Sequence, residues 1–280
     1  MFSLIMAVFC STSIALTLKF NSTKKGNEIV LISANYLMAS IISFILLISE
    51  TNSQISIETL FFGSGLGLMF VTTFFSFAKA VEAAGTALAA VSSRLSVLIP
   101  ITLSIIIYNE IPNFFQAVGF AAAFITLYFF FRSLTHKNLK KLHTVQYLYL
   151  AIVLIGIGFN DFLMKVFNQW RPAEEKSFFL LSIFGSAFIY TASYIIFKKQ
   201  KLEKRTISTG LFLGIPNVFS SFFLIDALKQ IPAIIVFPSV NISIIILTAI
   251  GAFLIWKESL NAYGRVALLF GIISIGLLSL

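Results

Sequence analysis

Apolar runs of about twenty residues, separated by short polar breaks, fill this chain from end to end. Ten such runs can be read, over roughly 2–20, 30–49, 59–79, 84–107, 113–131, 146–166, 177–197, 208–228, 232–255 and 260–280. Breaks fall at Lys24-Lys25-Gly26-Asn27, at Glu50-Thr51-Asn52-Ser53 and at Asn109-Glu110-Ile111-Pro112-Asn113. No run alternates with the period of two that a membrane barrel strand requires, so each is expected to be a helix. A helix of about 20 apolar residues crosses the roughly 30 Å hydrocarbon core of a bilayer, and these runs have that length. The first run has no basic region before it and no convincing small-x-small cleavage site, so it reads as a membrane helix rather than a removed signal.

The pattern occurs twice. Ser92-Ser93-Arg94-Leu95-Ser96 returns 147 residues later as Ser239-Val240-Asn241-Ile242-Ser243, with Ser on Ser, Arg on Asn and Ser on Ser. The same shift carries Gly63-x-x-x-Gly67 onto Gly210-x-x-x-Gly214 and Ala80 onto Ala227. A one-residue slip then brings Glu110 onto Glu258. The longest polar break, Arg132 to His143, divides the ten runs into five and five. The organisation predicted is a first five-helix repeat over 1–131, a basic connecting loop over 132–145 and a second repeat over 146–280. An odd number of helices per repeat starts the second half on the opposite side of the membrane. The fold class expected is therefore all-α, a polytopic membrane protein of ten transmembrane helices arranged as two inverted repeats.

Composition agrees with this class. The chain is 58% hydrophobic and 11% charged, with 32 Phe. A soluble domain carries about 25% charged residues, so this chain could not cover its own surface in water. The net charge of +9 would point to nucleic acid in a soluble protein. Here the bases sit in loops between apolar runs, so topology explains them and no nucleic-acid partner is expected. Fifteen Lys and Arg lie in odd-numbered loops, Lys140 and Lys204 among them, and four (Lys165, Arg171, Lys176 and Lys229) in even-numbered ones. The positive-inside rule then places the odd loops in the cytoplasm and both termini outside. The single Cys10 excludes an internal disulfide and a Cys-only zinc site.

Ten helices as five plus five, the Ala-rich stretch Ala83-Ala84-Gly85-Thr86-Ala87-Leu88-Ala89-Ala90, and Pro100 ten residues before Glu110 carry a family resemblance. Trp256-Lys257-Glu258 repeats that helix end in the second half. On these features the chain resembles the EamA-type branch of the drug/metabolite transporter superfamily, over nearly its whole length. The resemblance implies a secondary transporter in a bacterial-type inner membrane. It would move a small organic metabolite by alternating access, with export favoured over uptake. Members are described with cytoplasmic termini, and the charge pattern here departs from that.

Polar groups inside the apolar runs are the candidates for binding a solute, because polar groups at that depth are costly and usually functional. Arg94 lies about ten residues into its helix, roughly 15 Å deep at 1.5 Å per residue. Its guanidinium offers paired donors to a carboxylate or phosphate. The alternative is a structural Arg, ion-paired with Asp161 or bonded to Ser92, Ser96 and backbone carbonyls. Asp161 is the one carboxylate well within a run, about 6 Å from Arg94 in depth. It reads either as the site of a coupling proton or as the salt-bridge partner of Arg94. Asn160 and Asn241, with Ser92, Ser96 and Ser239, could bind solute or join helices. Tyr36, beside Asn35, is a weaker substrate-binding candidate, since Tyr also populates the interfacial belt.

The glycines at 63, 65, 67, 210 and 214 are expected at close helix crossings. Glu110 and Glu258 are expected to cap or anchor the helix that follows each, and Lys19 and Lys165 to snorkel to the interfaces. No catalytic motif, metal cluster or cofactor fingerprint is present: there is no His-Glu-x-x-His and no Gly-x-Ser-x-Gly, and His136 and His143 share a loop with lysines. The expectation is a non-enzymatic carrier with three partners: a small anionic or zwitterionic solute, the lipid bilayer and a coupling proton. The alternative is an intramembrane lipid-modifying enzyme or a non-transporting scaffold.

Overall fold

A computed structural model describes residues 1–22, 26–135, 144–257 and 261–280. Expectations that fall on His136, Lys137, Lys140, Lys141, His143 and Glu258 lie outside the described residues. Among those described there is no strand. The helices are α1 (Phe2–Ser22), α2 (Glu28–Ser49), α3 (Ile57–Ala84), α4 (Thr86–Leu95), α5 (Leu98–Tyr108) and α6 (Phe114–Thr135). Then follow α7 (Thr144–Trp170), α8 (Lys176–Phe197), α9 (Lys204–Gln230), α10 (Ala233–Trp256) and α11 (Ala262–Leu278). Nine described helical stretches are long and apolar enough to cross a membrane, counting α4 and α5 together as one over Leu88–Tyr108. The apolar helix Ala262–Leu278 is somewhat shorter. These are the elements of a multi-pass membrane protein.

Polar residues at the breaks start and stop the helices. Asn27 accepts hydrogen bonds from the N–H groups of Ile29 and Val30, and Asn261 accepts one from Gly264. Asn113 and Gln116 bond each other's backbone N–H, a reciprocal cap at the start of α6. Asn109 and Lys257, matched in the two halves, both end their helices in the left-handed conformation, with φ of 52° and 57°.

Two expectations about the fourth apolar run are corrected. The third helix extends to Ala84, and Gly85, at φ +91°, turns the chain directly into α4. The run itself is two helices, α4 and α5, joined by a turn at Ser96–Val97. Pro100 has no N–H to offer the preceding turn, which weakens the ladder at this point. Ile99 N–H bonds the Ser96 carbonyl three residues back, and the Ser96 hydroxyl closes on the Ser93 carbonyl at 2.6 Å.

The helices form two compact units. One comprises Met1–Thr72 and Leu163–Lys229; the other comprises Thr73–Phe162 and Gln230–Leu280. Each draws helices from both halves of the sequence. In the first unit, α2 and α8 pack against each other in opposite directions. Asn27 at the start of α2 bonds Gln200 beyond the end of α8, and Ser177 at the start of α8 bonds Glu50 at the end of α2. The glycine pairs cross these two helices with matching contacts. A Cβ at Gly67 would meet Ser186, Ile183 O and Ala187 N, and one at Gly214 would meet Met38, Asn35 O and Ala39 N. Gly63 against Ser182 and Phe179 O matches Gly210 against Ala34 and Leu31 O. A Cβ at Gly65 would meet nothing within 4 Å, so this glycine is not at a crossing.

The second unit repeats the antiparallel arrangement. Ser133 near the end of α6 bonds Asn261 at the start of α11, and Ser274 late in α11 bonds the Gly119 carbonyl early in α6. The Glu110 carboxylate accepts from Ile234 N–H at 3.0 Å, so it caps α10, a helix far along the chain. Lys165 is 3% exposed within the first unit, so it does not snorkel out to an interface.

Candidate functional site

Seven of the eight candidate residues fall in the second unit: Ser92, Arg94, Ser96, Asn160, Asp161, Ser239 and Asn241. Tyr36 belongs to the first unit, where its buried ring lies 6.2 Å from that of Phe184. Its neighbour Asn35 accepts a bond from Asn217 at 3.1 Å.

Arg94 sits in the last turn of α4, immediately before the Ser96–Val97 break. A cation there is favoured by the partial negative charge of the helix C-terminus. The broken helix is thus one local reason that a charge is tolerated inside an apolar run. The guanidinium donates from one Nη to Asn241 Oδ1 at 3.4 Å, and Asn241 Nδ2 donates to the Phe237 carbonyl at 3.5 Å. Arg94 and Asn241 are the two positions that the 147-residue repeat superimposes, and they meet in space.

Asp161 makes no hydrogen bond or ion pair with any described residue, so the direct salt bridge to Arg94 is absent from this arrangement. The two opposite charges still act on each other through space. Both side chains are only half-buried. Asn160, next in sequence, is buried; its Nδ2 lies 3.5 Å from Thr73 Oγ1, and its Oδ1 has no partner among the described residues. Gly156 and Gly158 let this turn of α7 approach closely: a Cβ at Gly156 would strike Thr73, and one at Gly158 would lie 2.7 Å from Ile99 and the Ser96 carbonyl.

The serines divide from the charged residues in their roles. Ser92 donates to the Leu150 carbonyl at 2.5 Å and Ser96 to Ser93, so both hydroxyl protons are spent on backbone. Each keeps lone pairs, which makes them acceptors rather than donors for a solute. Ser239 is buried on α10, two residues before Asn241. The arrangement offers a fork of donors on Arg94, an acceptor pair on Asp161 and an orphan acceptor on Asn160, all on elements fixed by close packing.

Sequence reasoning missed one polar network, in the first unit. Arg171 donates to Glu175 at 2.8 and 3.0 Å, to Ser56 at 2.7 Å and to Thr59 at 3.0 Å; Thr59 also bonds Glu175. The bond to Glu175 holds the Arg171 guanidinium pKa above its ordinary value. Nearby, Lys176 pairs with Asp226 at 2.8 Å and lies 3.3 Å from the Phe222 ring centroid. In the sequence Arg171 and Lys176 read only as loop charges. The bonds in this network reach up to 119 residues along the chain, from Ser56 to Glu175, beyond the reach of any local pattern.

No family model matches the chain. It is 26% identical to an uncharacterized protein of Haemophilus influenzae (strain ATCC 51907 / DSM 11121 / KW20 / Rd), over 98% of this chain and 96% of that one. A solved crystal structure of a protein, 14% identical, superimposes with a TM-score of 0.80 over 99% of this chain and 94% of that one. At that identity the likeness is one of fold.

Proposed function

We propose that this protein is a secondary transporter. It moves a small anionic or zwitterionic organic solute across a bacterial-type inner membrane by alternating access, in the manner of the EamA-type carriers that its sequence resembles. The observation that carries the reading is Arg94: a guanidinium inside an apolar run, bonded to its repeat-equivalent Asn241 and not to the carboxylate nearest in depth. A purely structural charge in a membrane is expected to be neutralised by a direct partner. This one keeps donors for a solute. Asp161, without a bonded partner among the described residues, is the residue to accept a coupling proton or a substrate ammonium.

An inverted five-plus-five repeat supports the same reading. Helices that occupy equivalent places in the two halves pack antiparallel within each unit: α2 with α8, and α6 with α11. Antiparallel equivalents are what a two-fold axis lying in the membrane plane requires. The matched glycine crossings follow the isologous rule, in which residue i meets the partner of j and j meets the partner of i. In this reading α4 and α5 form one span and α11 the tenth. Export is the direction favoured, and the protein does no covalent chemistry.

Orientation is tested by labelling. In a Cys10→Ser background, Cys introduced at Lys204 should resist an impermeant thiol reagent in intact cells and react after lysis. Cys at Ser53 should react in intact cells. Reversal of the two would place the odd-numbered loops outside. Function itself is tested by counterflow in sealed liposomes, where a carrier exchanges labelled solute and an enzyme alters it.

A further inference from the structure

The contact between Arg94 and Asn241 joins positions that are equivalent in the two halves. In an object with two-fold symmetry, a residue that touches its own symmetry mate lies at the axis. The same relation holds for the elements around it: α10 is capped by Glu110 at the end of α5, so α4–α5 and α10 run in opposite directions. Arg94 is the longer of the two side chains, and it bridges the gap from the first half to a short Asn on the second. An Arg on position 241 would bridge the same gap from the other side. In either case the guanidinium ends near the middle, because that is where an extended Arg meets a short partner.

We infer that Arg94 and Asn241 form one recognition point on the pseudo-dyad, at which the guanidinium can be supplied from either repeat, and that Asn241 is its specificity-determining half. Asn241 performs two tasks. Its Oδ1 orients one Nη of Arg94, and its neutrality limits the point to a single positive charge. One guanidinium beside one amide suits one carboxylate. Two guanidiniums on the axis would suit a dianion. With Asp161 common to every variant, the number of cations at 94 and 241 therefore sets how the accepted anion's charge differs between them. This inference rests on the proposed role of Arg94 toward an anionic solute, and its test reads binding rather than transport.

The test compares four proteins purified in nanodiscs: wild type, Arg94→Asn, the swap Arg94→Asn/Asn241→Arg, and Asn241→Arg. Thermal unfolding is followed against rising sodium acetate, as monoanion, and sodium sulfate, as dianion, at constant ionic strength. Wild type and the swap should melt alike and be half-saturated by acetate at concentrations within about threefold of each other. Arg94→Asn should lose the anion response. Asn241→Arg, with two like charges at contact, should melt lower without anion. It should be half-saturated by sulfate at a concentration about tenfold or more below that of wild type, the effect of one further charge-assisted contact. A swap that fails to fold, or that folds without an anion response when wild type has one, overturns the equivalence. So does Asn241→Arg without a sulfate preference. If wild type itself responds to neither anion, the anion-clamp role of Arg94 falls. Exchangeability then stands or falls on whether the swap melts with wild type.

Discussion

Arg94→Gln combined with Asp161→Asn should give a protein that folds and does not transport. Arg94 makes no direct ion pair with Asp161, so removing the carboxylate leaves the Asn241 bond intact. Breaking a bonded, buried ion pair costs about 3–5 kcal/mol. Asp161→Asn alone should cost clearly less than that, and the double variant should melt close to wild type. Transport should respond differently. A guanidinium holding a carboxylate through two charged hydrogen bonds contributes roughly 1.5–3 kcal/mol for each. At 1.4 kcal/mol per tenfold, exchange at limiting solute should fall about a hundredfold or more. Arg94→Lys keeps the charge and loses the fork, so affinity should fall while the melting temperature holds. Solute exchange within a few-fold of wild type by the double variant would leave Arg94 as a structural residue.

Gly214→Ala should destabilise the protein, whereas Gly65→Ala should not. Alanine is ordinarily the better helix former by about 1 kcal/mol. At Gly214 the new Cβ would lie 2.6 Å from both the Asn35 carbonyl oxygen and Met38 Cβ, so α2 and α9 must move apart. Forcing a methyl group into a packed interface costs about 1–3 kcal/mol, and here the obstacle is backbone. The loss of packing thus outweighs the gain in helix propensity. Gly67→Ala should behave like Gly214→Ala, because its Cβ meets the matching backbone atoms on α8. At Gly65 there is open space, so only the propensity gain remains. Unfolding of the four proteins in one detergent orders them directly. Equal stability of Gly214→Ala and Gly65→Ala would contradict the matched crossings.

The features legible in the sequence were those encoded by local period and by repetition. Helices follow from apolar runs, and the register of 147 residues pairs Arg94 with Asn241 and Gly63 with Gly210 in the sequence alone. What stayed hidden depended on partners far along the chain. Glu110 caps α10, 124 residues away, and Arg171 bonds Ser56 and Thr59, 115 and 112 residues away. A charge in a loop gives no local sign of such a partner. Gly65 sits between two crossing glycines and is indistinguishable from them by composition. Its difference is one of helix face, since two residues of helix turn about 200° away from the contact. The turn at Ser96–Val97 has Pro100 just beyond it, but apolar residues on both sides make 84–107 a single run of spanning length.

The ten-helix, two-repeat account and the role of Arg94 meet in one measurement. Purified protein is reconstituted into sealed liposomes preloaded with an unlabelled solute, chosen from a panel of amino acids and small carboxylates by binding to the protein. The same solute is then supplied outside in trace labelled form. The account predicts that label accumulates transiently inside, that it is recovered chemically unchanged, and that the Arg94→Gln/Asp161→Asn variant gives no accumulation at equal folded protein. Label recovered as a different compound, or accumulation unaffected by the double substitution, would contradict it.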